Sequence, residues 1–183
     1  MNIPDMYDYL VRARRDLWAA LENVPDEVLS RDVLHGERFR CVKDLAFHIA
    51  EVEDGWTHGD IQEQSFVQER FPNLQGREFF DDVPLADILD YWRAVEADTL
   101  RYLKTLTAAE LARQVAPEDW RGVQFTVGGL LWHVCLHEVR HTAQIAALLR
   151  MQGVKPPWLD YLIYQLPPEV KNFVLRDPDP GGA

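Results

Sequence analysis

The chain has 183 residues, 47% of them hydrophobic and 27% charged, with a formal net charge of −11. That length suits one domain burying about 70% of its unfolded surface, so neither disulfide staples nor intrinsic disorder is expected. The acidic balance disfavours nucleic acid and anionic lipid as partners, and no apolar stretch is long enough to span a bilayer. The N-terminus has no basic region followed by an apolar run, so no secretory signal is expected. Cys41 and Cys135 form no CxxC motif and are expected to be reduced thiols in a cytoplasmic protein.

Residues 4–23 are predicted to form a first helix, with Pro4 near its start and Leu10, Leu17 and Leu21 at helical spacing. Val24-Pro25 ends it, and residues 26–40 form a connection with at most a short helical turn. A second helix is predicted over 42–68, on the stripe Val42, Leu45, Ile49, Val52 and Trp56. Pro72, Asn73 and Gly76 make 71–83 a long loop, of the kind that crosses the length of a bundle. Pro84 opens a third helix, 84–106, with the stripe Leu85, Ile88, Trp92, Val95, Thr99, Tyr102 and Leu106. Thr107 to Glu110 matches a capping box and starts a short extra helix. After a loop at 115–125, Thr126 caps a fourth helix that ends at Gly153. A short helix near 158–165 follows Pro156-Pro157. No stretch alternates long enough for a sheet. The expected fold is therefore all-α: a four-helix bundle with a long crossover between helices 2 and 3, over residues 1–165, and a tail at 166–183. Cys41–Ile49 also echoes Thr126–Val134, which hints that helices 2 and 4 are related by a pseudo-twofold axis.

The fourth helix carries His133, His137 and His141 at intervals of four. Neighbours in such a series stack about 6 Å apart on one face, while the outer pair is about 12 Å apart and cannot easily share an ion. Leu130, Val134, Ile145 and Leu148 mark the buried stripe; His137 and His141 straddle its centre and His133 lies roughly 60° away. Two imidazoles on an apolar stripe need hydrogen-bond partners or a metal. His48 sits at the edge of the second helix's stripe, near Leu45 and Val52, and supplies the third ligand. His35, in a loop, and His58, beyond Gly55, are weaker candidates, and His133 is expected to be partly exposed or to stand behind the ligands. Three histidines leave open positions, as catalytic sites do.

Two other metal patterns share these letters. His137-Glu138-Val139-Arg140-His141 is an HExxH string, in which a metalloprotease uses the glutamate as general base. No HxxGxxH extension follows, Glu169 is the one glutamate downstream, and no strand is visible to align a peptide. Glu138-x-x-His141 is also half of a di-iron motif, but Leu45 stands where its partner needs a glutamate. Glu138 is a neighbour of the site and a candidate to support a ligand or act as a base, but the helical wheel places it off the stripe, where a solvated carboxylate is expected. Glu51, three residues after His48, can orient that ring.

Three stretches carry a family resemblance: Asp44-Leu-Ala-Phe-His-Ile-Ala-Glu51, then Leu131-Trp-His-Val-Cys-Leu-His-Glu-Val-Arg-His-Thr-Ala-Gln-Ile145, then Leu148-Leu-Arg-Met-Gln-Gly153 with Pro156-Pro157. They resemble the DinB/YfiT-like superfamily, and the likeness extends more loosely from the first helix to about residue 164. The resemblance implies a four-helix bundle holding a divalent metal, zinc or nickel, on positions that map to His48, His137 and His141. Many members carry His-Arg-Gly-Gln where this chain has His141-Thr-Ala-Gln144. Some relatives look like transferases or isomerases that use a low-molecular-weight thiol such as mycothiol or bacillithiol; others look like metal-dependent hydrolases.

The expected function is metal-dependent chemistry on a small-molecule substrate, most plausibly thiol transfer, with the ion activating a thiol or a water. The alternative is a metal-binding or interaction protein without turnover: six tryptophans and an acidic surface also suit a partner-binding bundle or a homodimer.

Overall fold

The computed structural model describes residues 2–171. Its elements are α1 (Ile3–Leu21), α2 (Asp26–Leu29), α3 (Val42–Asp54), a π-helical segment (Gly55–Ile61), two 3-10 turns (Val67–Arg70 and Pro72–Leu74), α4 (Leu85–Leu103) and α5 (Ala108–Ala112). There follow β1 (Gln114–Val115), β2 (Phe125–Thr126), α6 (Val127–Met151) and a 3-10 turn (Tyr161–Gln165). The protein is all-α, as expected. Among the described residues the one ladder is the antiparallel pair β1–β2, which lies inside the expected loop at 115–125 and its flanks. Most of the expected tail, residues 172–183, lies outside the described residues. Among the described residues no helix is long and apolar enough to cross a membrane.

Of the four long helices, α3 packs on α4 and α6, and α1 packs on the same two. Every residue from Cys41 to Ala50 is buried, so α3 is enclosed on all sides instead of along one stripe. Its core neighbours include Leu17, Trp92, Ile145 and Leu148, with Trp18 edge-on to Trp92 at 5.4 Å. Asn2 closes a capping box with Asp5, which starts α1 one residue earlier than predicted. At the other end of the fold, Gly153 (φ +78) donates to the Arg150 carbonyl and Val154 to that of Leu149, the cap expected there.

The second predicted helix ends at Ile61, not 68. Its last turns widen into the π segment, and Glu63 (φ 52) turns the chain out of the helix. Gly59 permits this: a Cβ there would lie 2.6 Å from the Phe66 ring. The returning chain then docks on the buried Asp54, whose carboxylate accepts from Val67 N and Gln68 N, each at 3.0 Å, and from the Tyr91 hydroxyl at 2.9 Å. Asp54 also meets His58 Nδ1 at 2.8 Å, which fixes that histidine away from the other rings.

Further along, the Asp44 carboxylate accepts from Phe80 N at 2.8 Å, and Phe80 stacks on Phe47 at 3.7 Å. The connection therefore travels from the C-terminal end of α3 back to its N-terminal end before α4 begins. That path fits the expected crossover. Asp54→Ala is expected to cost about 3 kcal/mol, because it leaves several buried donors unpaired at once. Urea denaturation beside wild type measures it, with the m-value reporting whether the crossover itself loosens.

One charged group from each long helix meets in the core. Arg14 of α1 pairs with Glu53 of α3 (3.0 Å), Glu96 of α4 (3.0 Å) and Glu138 of α6, all of them buried. Tyr7 donates to Glu53, and Arg15 reaches Glu96 from the surface. Burial raises the Glu96 and Glu138 carboxyls above their usual range, while Arg14 opposes that rise.

Candidate metal centre

The structure brings His48 of α3 together with His137 and His141 of α6. Each offers one ligand atom, and the three atoms lie within 4.8 Å of one another. Ring centroids are 4.9 Å apart for His48–His137 and His48–His141, and 4.2 Å for His137–His141. Helix geometry supplies the second pair, one turn apart on α6, and the α3–α6 packing supplies the first.

The outer nitrogens of two rings are already engaged. His48 Nδ1 faces Glu51 Oε2 at 3.4 Å, and His141 Nδ1 donates to Gln144 Oε1. Those partners leave Nε2 of both rings as the lone-pair nitrogen, the arrangement that metal-binding histidines require. Burial, and then the neighbouring histidines, push the His137 pKa down to about 3; burial lowers that of His141 as well. At neutral pH these rings are neutral, so their lone pairs are available to a cation. Three imidazoles, two of them held neutral by burial, converge in a half-buried niche that fits a divalent ion, with room for a further ligand. Phe39 covers the cluster, stacked on His48 at 4.1 Å and edge-on to His141 at 5.8 Å.

The other histidines stand apart. His133 is exposed, with its ring 5.7 Å from His137 and edge-on to Trp56 at 5.6 Å. His35 is exposed beside Asp32. His58 is buried against Asp54.

Glu138 corrects the sequence reading. It is buried, not solvated, and both its oxygens accept from Arg14. The wheel assumed a single buried stripe, whereas α6 packs on α3 with one face and on α1 with another. The glutamate of the HExxH string thus points into the ionic core, where Arg14 holds both its oxygens, so the geometry lends the metalloprotease pattern no support. Sequence reasoning also missed Arg14. The signal was present: Arg14 falls between Leu10 and Leu17 on the apolar stripe of α1, where an unpaired charge is not tolerated.

Two cavities flank α3 and α6. One of about 520 Å³ is bordered by His48, Glu51, Phe39 and Arg38. A larger one of about 1160 Å³ lies between α1, α6 and residues 153–161, on the Glu138 side of α6.

Residues 1–170 match the model of the DinB family, and the chain belongs to that family. No match to the curated proteins was found. The family and the three-histidine cluster together fit a metal-binding DinB-like protein.

Proposed function

We propose that the protein is a metal-dependent enzyme acting on a small molecule, of the thiol-dependent S-transferase type, with a zinc or nickel ion on His48, His137 and His141. The convergence of three imidazoles on one point, beside a cavity of small-molecule size, carries this reading. A divalent ion there supplies Lewis acidity that keeps a thiol as thiolate, or a water as hydroxide, at neutral pH.

The chain's own residues do the rest. Glu51 and Gln144 hold the His48 and His141 rings in register, and Phe39 shields the cluster from bulk water. The reacting thiol comes from outside the chain. Cys41 and Cys135 are buried, and burial pushes both thiols up to about 12, so neither is a nucleophile. Such buried thiols also suit a reducing, cytoplasmic setting.

The test is thiol consumption by zinc- or nickel-loaded protein and a metal-free control, using a panel of electrophiles with mycothiol, bacillithiol and glutathione. Metal-dependent consumption with one of these thiols is the expected result. No consumption above the control across the panel would favour the second reading, a metal-binding interaction protein. That reading draws on the large cavity without histidines, which the exposed Val139 lines, a surface suited to a partner or a second copy.

A further inference from the structure

We propose that the cavity beside His48 takes a small organic monocarboxylate, and that Arg38 is the residue that selects its negative charge. The inference rests on the metal-site reading above and names the substrate class for it.

The cavity of about 520 Å³ suits a small molecule and is lined by both apolar and charged groups. Phe39, Phe47 and Phe80 supply the apolar wall. The charged groups differ in how far they are already engaged. Asp44 accepts from two backbone amides, Arg40 N and Phe80 N. Glu51 meets His48, and Arg77 pairs with Asp82 at 2.7 Å. Nearby Arg40 pairs with Asp32 and Asp81. Arg38 alone among these arginines has no carboxylate partner among the described residues.

Its placement gives it a direction. The Arg38 guanidinium lies over the Phe39 ring, 5.0 Å from its centroid, and Phe39 in turn stacks on His48. The three planar groups form a staircase from the cavity to the histidine cluster. The guanidinium carbon sits over the ring, and its N–H groups, which have no carboxylate partner among the described residues, can hold a carboxylate through two parallel hydrogen bonds. Glu51 and Glu78 in the same wall oppose a second negative charge, so the ligand is a monoanion with an apolar body.

Calorimetric titration with benzoate and its neutral isostere benzamide tests this, on wild type and Arg38→Gln, each zinc-loaded and metal-free. Wild type is expected to bind benzoate at least about tenfold more tightly than benzamide, which corresponds to about 1.4 kcal/mol. Arg38→Gln is expected to erase that difference while leaving zinc content and benzamide affinity unchanged. A preference for benzoate that survives Arg38→Gln would overturn the proposal, since the anion would then be held elsewhere. Benzoate binding no tighter than benzamide, or no binding of either, would overturn it as well. The metal reading fails separately, by a zinc content near zero in wild type. A benzoate preference that persists in metal-free protein and vanishes in Arg38→Gln still upholds the Arg38 site.

Discussion

His137→Ala and His48→Ala should each abolish stoichiometric metal binding while leaving the helical circular dichroism signal in place. Wild type, gently purified, is expected to carry about one ion per chain by elemental mass spectrometry, as a three-histidine site implies. Losing a group that merely orients a ligand typically weakens metal binding 10- to 100-fold, so losing a ligand should exceed about a hundredfold. The fold is expected to survive because the cluster contributes little without an ion: His137 makes no hydrogen bond among the described residues, and burial already holds its ring neutral. A wild type that carries no ion and ignores added zinc and nickel would make these histidines core polar residues and remove the basis of the proposed chemistry. Glu51→Ala belongs in the same experiment, as a weaker variant that loosens the His48 ring without removing a ligand.

Arg14→Met should be the most destabilising single substitution of a charged residue in the chain. It leaves Glu53, Glu96 and Glu138 in the core with no buried counter-charge, and breaking such a group by removing one partner costs about 3–5 kcal/mol. The pH dependence has a definite sign. Glu96 and Glu138 have raised pKa values in the folded protein, so the native state holds protons that the unfolded state has released. Their contribution is most favourable in acid and fades as pH rises through the folded values. Arg14→Met pushes those values higher still, so its deficit should be largest at pH 8 and shrink toward pH 5. Urea denaturation at the two pH values checks this. A deficit that is flat across that range would mean the carboxylates are not trapped in the core.

The same network sets the axial register of the helices. Glu53 follows His48 by little more than a turn, and Glu138 directly follows His137. Sliding α3 past α6 by one turn, about 5.4 Å, would break both Arg14 contacts and separate the three histidines. A variant rescued at low pH is therefore expected to fold with a weaker metal site.

Much of this was legible in the sequence because helical periodicity reports burial. The four long helices, the cap at Gly153 and the three converging histidines all follow from spacing on a wheel. What the wheel missed depends on partners distant in sequence. Glu138 looked solvated because one stripe was assumed for a helix with two packed faces. The second helix reads too long in the sequence because Gly55 and Gly59 weaken its later turns without showing where the chain leaves, which is set by Asp54 receiving amides from residues 67 and 68. The ladder β1–β2 is two residues long on each side, too short to leave an alternation.

The burial of Cys41 and Cys135, each 1% exposed, also gives the molecule a chemical immunity. Under the proposed thiol transfer, soft electrophiles would meet the protein's own sulfurs as well as the external thiol. Here both sulfurs are protonated and shut behind packed helices, one at the N-cap of α3 and one in the first half of α6. They become modifiable only when those helices open, so any adduct on them records that the fold came apart and not that the site turned over.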